Sequence, residues 1–302
     1  MRKFFQAALA AIFLSLPPAF AQGGTASFPF LRIDRNPATA GMGTAGAASV
    51  SSVGYAAFRN AAVIPFSEGK GNIGAGWQNW APGSVRSTNL SLGGAFRFGG
   101  RFGVAVGGVY QAGEPYAMTS DASGRETGTF TPSEMLFSVG FAARITGGLG
   151  LGANVKAAVQ NLAEDAKEQA FAADVFLLYR LPSLSVTAGV SSLGASSLPS
   201  SATAGVSFDK VFGGEHGVVL NADADYFFGS TAFAATGGVQ YGFRNLVFLR
   251  CGFHFGTDAA PMPSFVTLGA GFRLAGVHID FAYLTANPDI GNTMTAGLGY
   301  VF

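Results

Sequence analysis

The chain has 302 residues, 44 of them glycine, with 49% apolar side chains and only 12% charged ones, about half the charge of an average soluble domain. A water-exposed surface of ordinary size is hard to build from that composition. The near-zero net charge excludes a basic nucleic-acid-binding surface, and the lone Cys251 excludes an internal disulfide.

The N-terminus has the three parts of a secretory leader: Arg2 and Lys3, an apolar run from Phe4 to Leu16, and Ala19-Phe20-Ala21 before Gln22. The run falls short of the roughly 20 residues a spanning helix needs. Residues 1–21 are therefore expected to be removed on export, and no later run is long enough for a spanning helix.

Residues 22–69 lack strand alternation and are expected to fold as a plug inside a barrel formed by residues 70–302. They contain "AGMGTAG", in which Gly41, Gly43 and Gly46 satisfy the G-x-G-x-x-G pattern of a dinucleotide loop. Such a loop needs a buried strand before it and an acidic residue about 20 positions on. Asn36-Pro37-Ala38 precedes it and nothing acidic lies near position 60. The glycines fit better as places where the plug backbone turns and packs close to a wall, with Met42 reaching that wall or gating the lumen and Asn60 nearby. No cofactor is expected.

From residue 70 onward, segments of about ten residues alternate apolar with small or polar side chains, the period of strands with two different faces. In "GLGLGANVKAAVQ", Leu149, Leu151, Val155 and Val159 oppose Asn154, Lys156 and Gln160. In "HGVVLNADADYFF", Val218, Leu220 and Tyr226 oppose Asn221, Asp223 and Asp225; in "GVHIDFAYL", Val277, Ile279 and Phe281 oppose His278 and Asp280. Six short Gly- and Arg-rich turns alternate with seven longer connectors, which predicts fourteen strands with both ends of the barrel sequence on one side. The expected fold is all-β: a transmembrane antiparallel up-and-down barrel, closed because hydrocarbon leaves no partner for a sheet edge. The last strand, "TMTAGLGYVF", puts Met294, Leu298, Tyr300 and Phe302 on the lipid face, as an interfacial aromatic girdle requires.

No catalytic or metal-binding set emerges: there is no G-x-S-x-G, and the three histidines lack further ligands at fitting positions. Arg250, His254, His278 and Asp280 are read as a lumenal polar cluster, and Cys251 as an unreactive lipid-facing thiol. Trp77 and Trp80 lie at the outer end of the first strand, as interface anchors or as a docking contact. The longest connector carries Tyr116, Met118 and Phe130, candidates for a binding loop or a cover.

The stretches "FPFLRIDRNPATAGMGTAGAA" (28–48), "FRNAAVIPFSEGKGNIGAGWQNW" (58–80), "GTFTPSEMLFSVGFAARI" (128–145) and "AFAADVFLLYR" (170–180) resemble the PorV/PorQ family of FadL-like outer-membrane barrels associated with type IX secretion in Bacteroidota. Gly41, Met42, Gly43 and Ala45 fall on matching positions; Asn60-Ala61-Ala62 departs from the usual Asn-Pro-Ala. The resemblance implies a barrel in the outer membrane of a Gram-negative, Bacteroidota-like bacterium. Such barrels bind the C-terminal signal domain of secreted cargo, or components of a surface-attachment complex or translocon, through external loops. The alternative is a FadL-like transporter of hydrophobic small molecules, with the plug as gate and an apolar pocket beside it. Neither reading is enzymatic, and the surrounding outer-membrane lipid is the other expected partner.

Overall fold

The computed structural model describes residues 28–51, 53–81, 86–119, 126–164, 166–195, 197–285, 287 and 291–302. The expected leader, residues 1–21, lies outside them.

Strands form where the sequence supplies two faces for two surroundings. They are β1 (Gly71–Trp80), β2 (Ser87–Phe98), β3 (Phe102–Gly113), β4 (Tyr116–Thr119), β5 (Glu126–Phe130), β6 (Ser133–Arg144), β7 (Leu149–Asn161), β8 (Lys167–Arg180), β9 (Leu184–Gly194), β10 (Ser201–Phe212), β11 (His216–Phe227), β12 (Phe233–Phe243), β13 (Val247–Gly256), β14 (Phe265–Leu274), β15 (Val277–Thr285) and β16 (Thr293–Val301). Every neighbour pair is antiparallel. Fourteen of these strands close into a barrel in chain order, with β3 paired to β6 and β1 to β16, so that no edge is left unpaired. The remaining two, β4 and β5, form a separate ribbon within the longest connector.

The alternation sets which face meets which surroundings. In β7, Leu151, Ala153 and Val155 are exposed on the outside, while Asn154, Lys156 and Gln160 are buried inside. An outer surface of Leu, Val and Phe is stable against hydrocarbon, not water. Cys251 lies on this outer face with Leu249 and Phe253. Several short turns pair two left-handed residues, Arg244-Asn245 and Ala275-Gly276 among them, which matches the twist of the flanking strands.

The lumen is not empty. Phe28 to Gly69 runs through it as an inner segment of short helical turns: Pro29–Arg32, α1 (Pro37–Ala40), Val53–Phe58 and Ala61–Phe66. Its start packs with Trp80, Leu136, Leu198, Met262 and Leu284 at the end of the barrel that carries the long connectors. Its last turn packs with Ala95, Ala105, Ala142, Phe176 and Leu178 at the short-turn end. There the Lys70 N–H donates to the Phe302 carbonyl oxygen at 2.6 Å.

Near the long-connector end, inward side chains of six neighbouring strands share one level: Gln78, Asn89, Gln111, Glu134, Gln160 and Glu168 are register partners in turn. Asn89 donates to Gln111 (2.9 Å), Gln111 to Glu134 (2.7 Å) and Gln160 to Glu168 (3.4 Å). Amides bridge well here because each carries both a donor and an acceptor.

Candidate functional site

The inner segment is seated on the wall by two devices, one steric and one electrostatic. Asn36 caps α1, its side-chain oxygen accepting from the Ala38 N–H at 3.1 Å, and the chain then turns through Gly43 and Thr44, both left-handed. A Cβ on Gly43 would strike the backbone of Phe253, and one on Gly41 would sit 3.0 Å from the Gly269 Cα. Met42 lies over Gly238 and Gly252, which are register partners on β12 and β13. At these two positions beneath Met42 the wall therefore carries no side chain. The Gly43 N–H donates to Thr267 Oγ1 at 2.8 Å.

The electrostatic device is the polar face of β11. Asn221 donates to the Ala45 carbonyl at 3.2 Å. Asp223 Oδ2 accepts from the Gly46 and Ala47 N–H groups at 2.7 and 2.9 Å, and from Arg59 Nη2 at 2.7 Å. Arg59 also donates to the Thr44 carbonyl (2.6 Å) and lies 3.7 Å from Asp34. Arg32 pairs with Asp225 at 3.1 Å. Asn60 caps the last helical turn through the Ala62 N–H and donates to the Ala47 carbonyl and Thr187 Oγ1.

Between this segment and the wall lies a cavity of about 110 Å³. Apolar side chains line part of it, among them Leu31, Ile33, Phe58, Phe176, Phe227 and Met262; Arg32, Asp34, Arg35, Arg59, Lys156 and Asp225 line the rest. The pocket expected beside the segment is thus mixed, not apolar. Its charges are tolerable because most are matched: Lys156, for example, is 2.6 Å from Asp174, whose other oxygen accepts from the Ser192 N–H at 2.8 Å where the β8–β9 register shifts.

The four residues read as one lumenal polar cluster all face inward, with Arg250, Asp280 and His278 near one another and His254 apart. Arg250 and Asp280 pair at 2.7 Å, with Arg250 also bonded to Gln240. His278 packs against Gly299, its register partner. His254 stands apart, stacked on Phe265 at 4.7 Å with Nδ1 3.2 Å from Thr44 Oγ1, and it alone of the four lines the cavity. Among the described residues no group of three or more His, Cys, Asp or Glu is placed to hold a metal ion.

The external candidates also divide. Tyr116 stacks obliquely on Phe130 across the β4–β5 ribbon, with its hydroxyl donating to the Leu162 carbonyl; Met118 lies beside Gly128 on the same ribbon. Trp77 faces outward, but Trp80 does not: three residues on, the strand period turns it inward, where it is 8% exposed among Phe28, Phe30 and Met262. Trp80 is thus a lumenal packing residue and no docking contact.

Arg32, Asp34, Arg35 and Arg59 were not singled out from the sequence. The available signal was charge concentration: in a chain with so few ions, "LRIDR" places three within four residues.

No family model matches the sequence, and no curated protein matches it. Solved structures do. The toluene transporter TbuX of Ralstonia pickettii superposes with a TM-score of 0.64 at 15% identity, covering 88% of this chain and 97% of that one. The toluene transporter TodX of P. putida gives 0.62 at 13%, covering 87% and 96%. A Pseudomonas aeruginosa FadL homologue gives 0.53 at 11%, covering 88% and 95%. The chain has the fold of these barrels. None of these likenesses speaks for a type IX secretion role.

Proposed function

We propose that the protein is a FadL-like channel of a Gram-negative outer membrane that passes small hydrophobic molecules, with the inner segment as its hatch. The observation that carries this reading is the cavity: it is the size of a small molecule, and it lies between the wall and a segment that is no strand of that wall. The fold shared with hydrocarbon channels supports it. The work is binding and passage, and no residue is assigned a chemical step. Uptake of toluene or a like monoaromatic by cells expressing the protein tests the reading. Uptake is expected to exceed that of cells without it, and equal rates would overturn the proposal.

A second reading rests on the external ribbon that carries Tyr116, which is exposed, and Met118 and Phe130, which are half-buried among exposed neighbours. In it the ribbon holds exported cargo or a surface-attachment complex. Deleting residues 116–130 is then expected to abolish co-purification of such partners while leaving small-molecule uptake unchanged.

A further inference from the structure

Two residues that line the cavity, Arg35 and His254, each carry a buried nitrogen atom with no partner among the described residues. Arg35, 5% exposed, donates through Nη2 to the Phe30 carbonyl at 2.6 Å, but its Nη1 has no acceptor. No carboxylate among the described residues lies within ion-pair distance of it, although Glu134 and Asp34 act on its charge from farther off. Burial lowers its pKa only to about 10, so it stays charged at neutral pH. On the wall, His254 is 8% exposed; Nδ1 faces Thr44 Oγ1, and Nε2 has no partner. When the Thr44 hydroxyl donates to Nδ1, Nε2 carries the proton and is a second donor. The other cations lining the cavity are matched: Arg32 with Asp225, Arg59 with Asp223, Lys156 with Asp174. Unpaired buried donors are rare in native proteins and call for an acceptor.

The size of the cavity limits what brings that acceptor. An apolar cavity of about 150 Å³ holds benzene, so 110 Å³ is on the scale of a single ring and too small for a long acyl chain. We propose that the cavity takes a single-ring compound bearing an acceptor oxygen, a phenol or an aromatic carboxylate, in preference to a bare hydrocarbon of the same shape. The ring meets Phe58, Phe176 and Phe227, and the oxygen meets the Arg35 guanidinium. A bare ring leaves both donors unpaired and so forfeits the hydrogen bond that distinguishes the two ligands. This inference rests on the channel reading and narrows its substrate class.

Calorimetric titration of the purified full barrel in detergent with toluene, 4-methylphenol and benzoate tests it. At least one oxygenated ligand is expected to bind about tenfold more tightly than toluene. Arg35→Met is expected to reduce that preference to about twofold or less. Toluene binding as tightly as both oxygenated ligands, or a preference that survives Arg35→Met, overturns the inference and leaves the channel reading standing. If Arg35→Met does not assemble, the wild-type order of affinities decides alone. Failure of all three ligands to bind, together with no uptake by cells, overturns the channel reading and this inference with it.

Discussion

Arg59 Nη2 lies 2.7 Å from Asp223 Oδ2, joining the inner segment to β11 across 164 residues of chain. The same oxygen accepts the Gly46 and Ala47 N–H groups. One fully buried carboxylate thus holds two separate turns of the segment. Asp223→Ala leaves all three donors without this acceptor. It is expected to destabilise the seated segment by roughly 3 kcal/mol, the lower end for a broken buried pair. Denaturant midpoints and limited proteolysis within residues 28–69 measure it. Asp223→Asn keeps an oxygen for the N–H groups and is expected to fall between wild type and Asp223→Ala; an order with Asn worse than Ala would count against the assignment.

The steric seat makes a separate prediction. Gly43 is left-handed, and a Cβ there meets the Phe253 backbone, which cannot step aside as a flexible side chain can. Gly43→Ala is expected to cost about 2 kcal/mol. Gly99, left-handed in an outer turn with no atom within 4 Å of its Cβ position, is the control: Gly99→Ala is expected to cost about 1 kcal/mol from backbone conformation alone. Equal losses in unfolding experiments would show that close approach contributes nothing at Gly43.

The two tryptophans, the only ones in the chain, report on opposite faces. In a bilayer containing brominated acyl chains, fluorescence from the Trp80→Phe variant, which retains outward Trp77, is expected to be strongly quenched. The Trp77→Phe variant, which retains inward Trp80, is expected to be nearly insensitive. Equal quenching would contradict the inward placement of Trp80.

Asp34 gives a pH signature. Burial lifts its carboxyl above the ordinary 3.8, outweighing the opposing pull of Arg59, the Thr39 hydroxyl and the Asn36 N–H. Between 3.8 and the raised value, the folded protein holds a proton that the unfolded chain has released, so this group's contribution to stability falls as pH rises. Compared with Asp34→Asn, the wild type is expected to lose stability on going upward through that window. A difference that stays flat or increases with pH would be inconsistent with a raised pKa.

The barrel was legible because each strand meets two unlike surroundings. Lys156, Asp223 and Asp280 could not share a face with Leu and Val in hydrocarbon, and that contrast set the inward phase in β7, β11 and β15. The β4–β5 ribbon escaped because it has no buried face: Tyr116 to Thr119 and Glu126 to Phe130 are largely exposed, so no period appears. Trp80 was misplaced although its odd spacing from Trp77 already implied the opposite face. The cavity was least legible. Arg32, Arg35 and Arg59 sit in irregular turns that follow no strand or helix period, and Asp225 and Asp223, the partners of Arg32 and Arg59, lie far away in sequence, so only the folded wall brings those pairs together.

The band of side chains at Asn89, Gln111 and Glu134 bears on how the wall tolerates movement. Sliding β3 by two residues against β2 or β6 would preserve the inward phase and could rebuild the backbone ladder, but it would part both side-chain bridges at once. Register is therefore fixed twice across β2, β3 and β6. Farther round the barrel, Gln240, Arg250 and Asp280 brace β12, β13 and β15 in the same way, and the wall is tied to the inner segment through Asp223, Asp225 and Thr267. Withdrawing that segment would leave both braces in place and strip its ties from Asp223, Asp225 and Thr267, so β11 and β14 are the strands that would lose side-chain support.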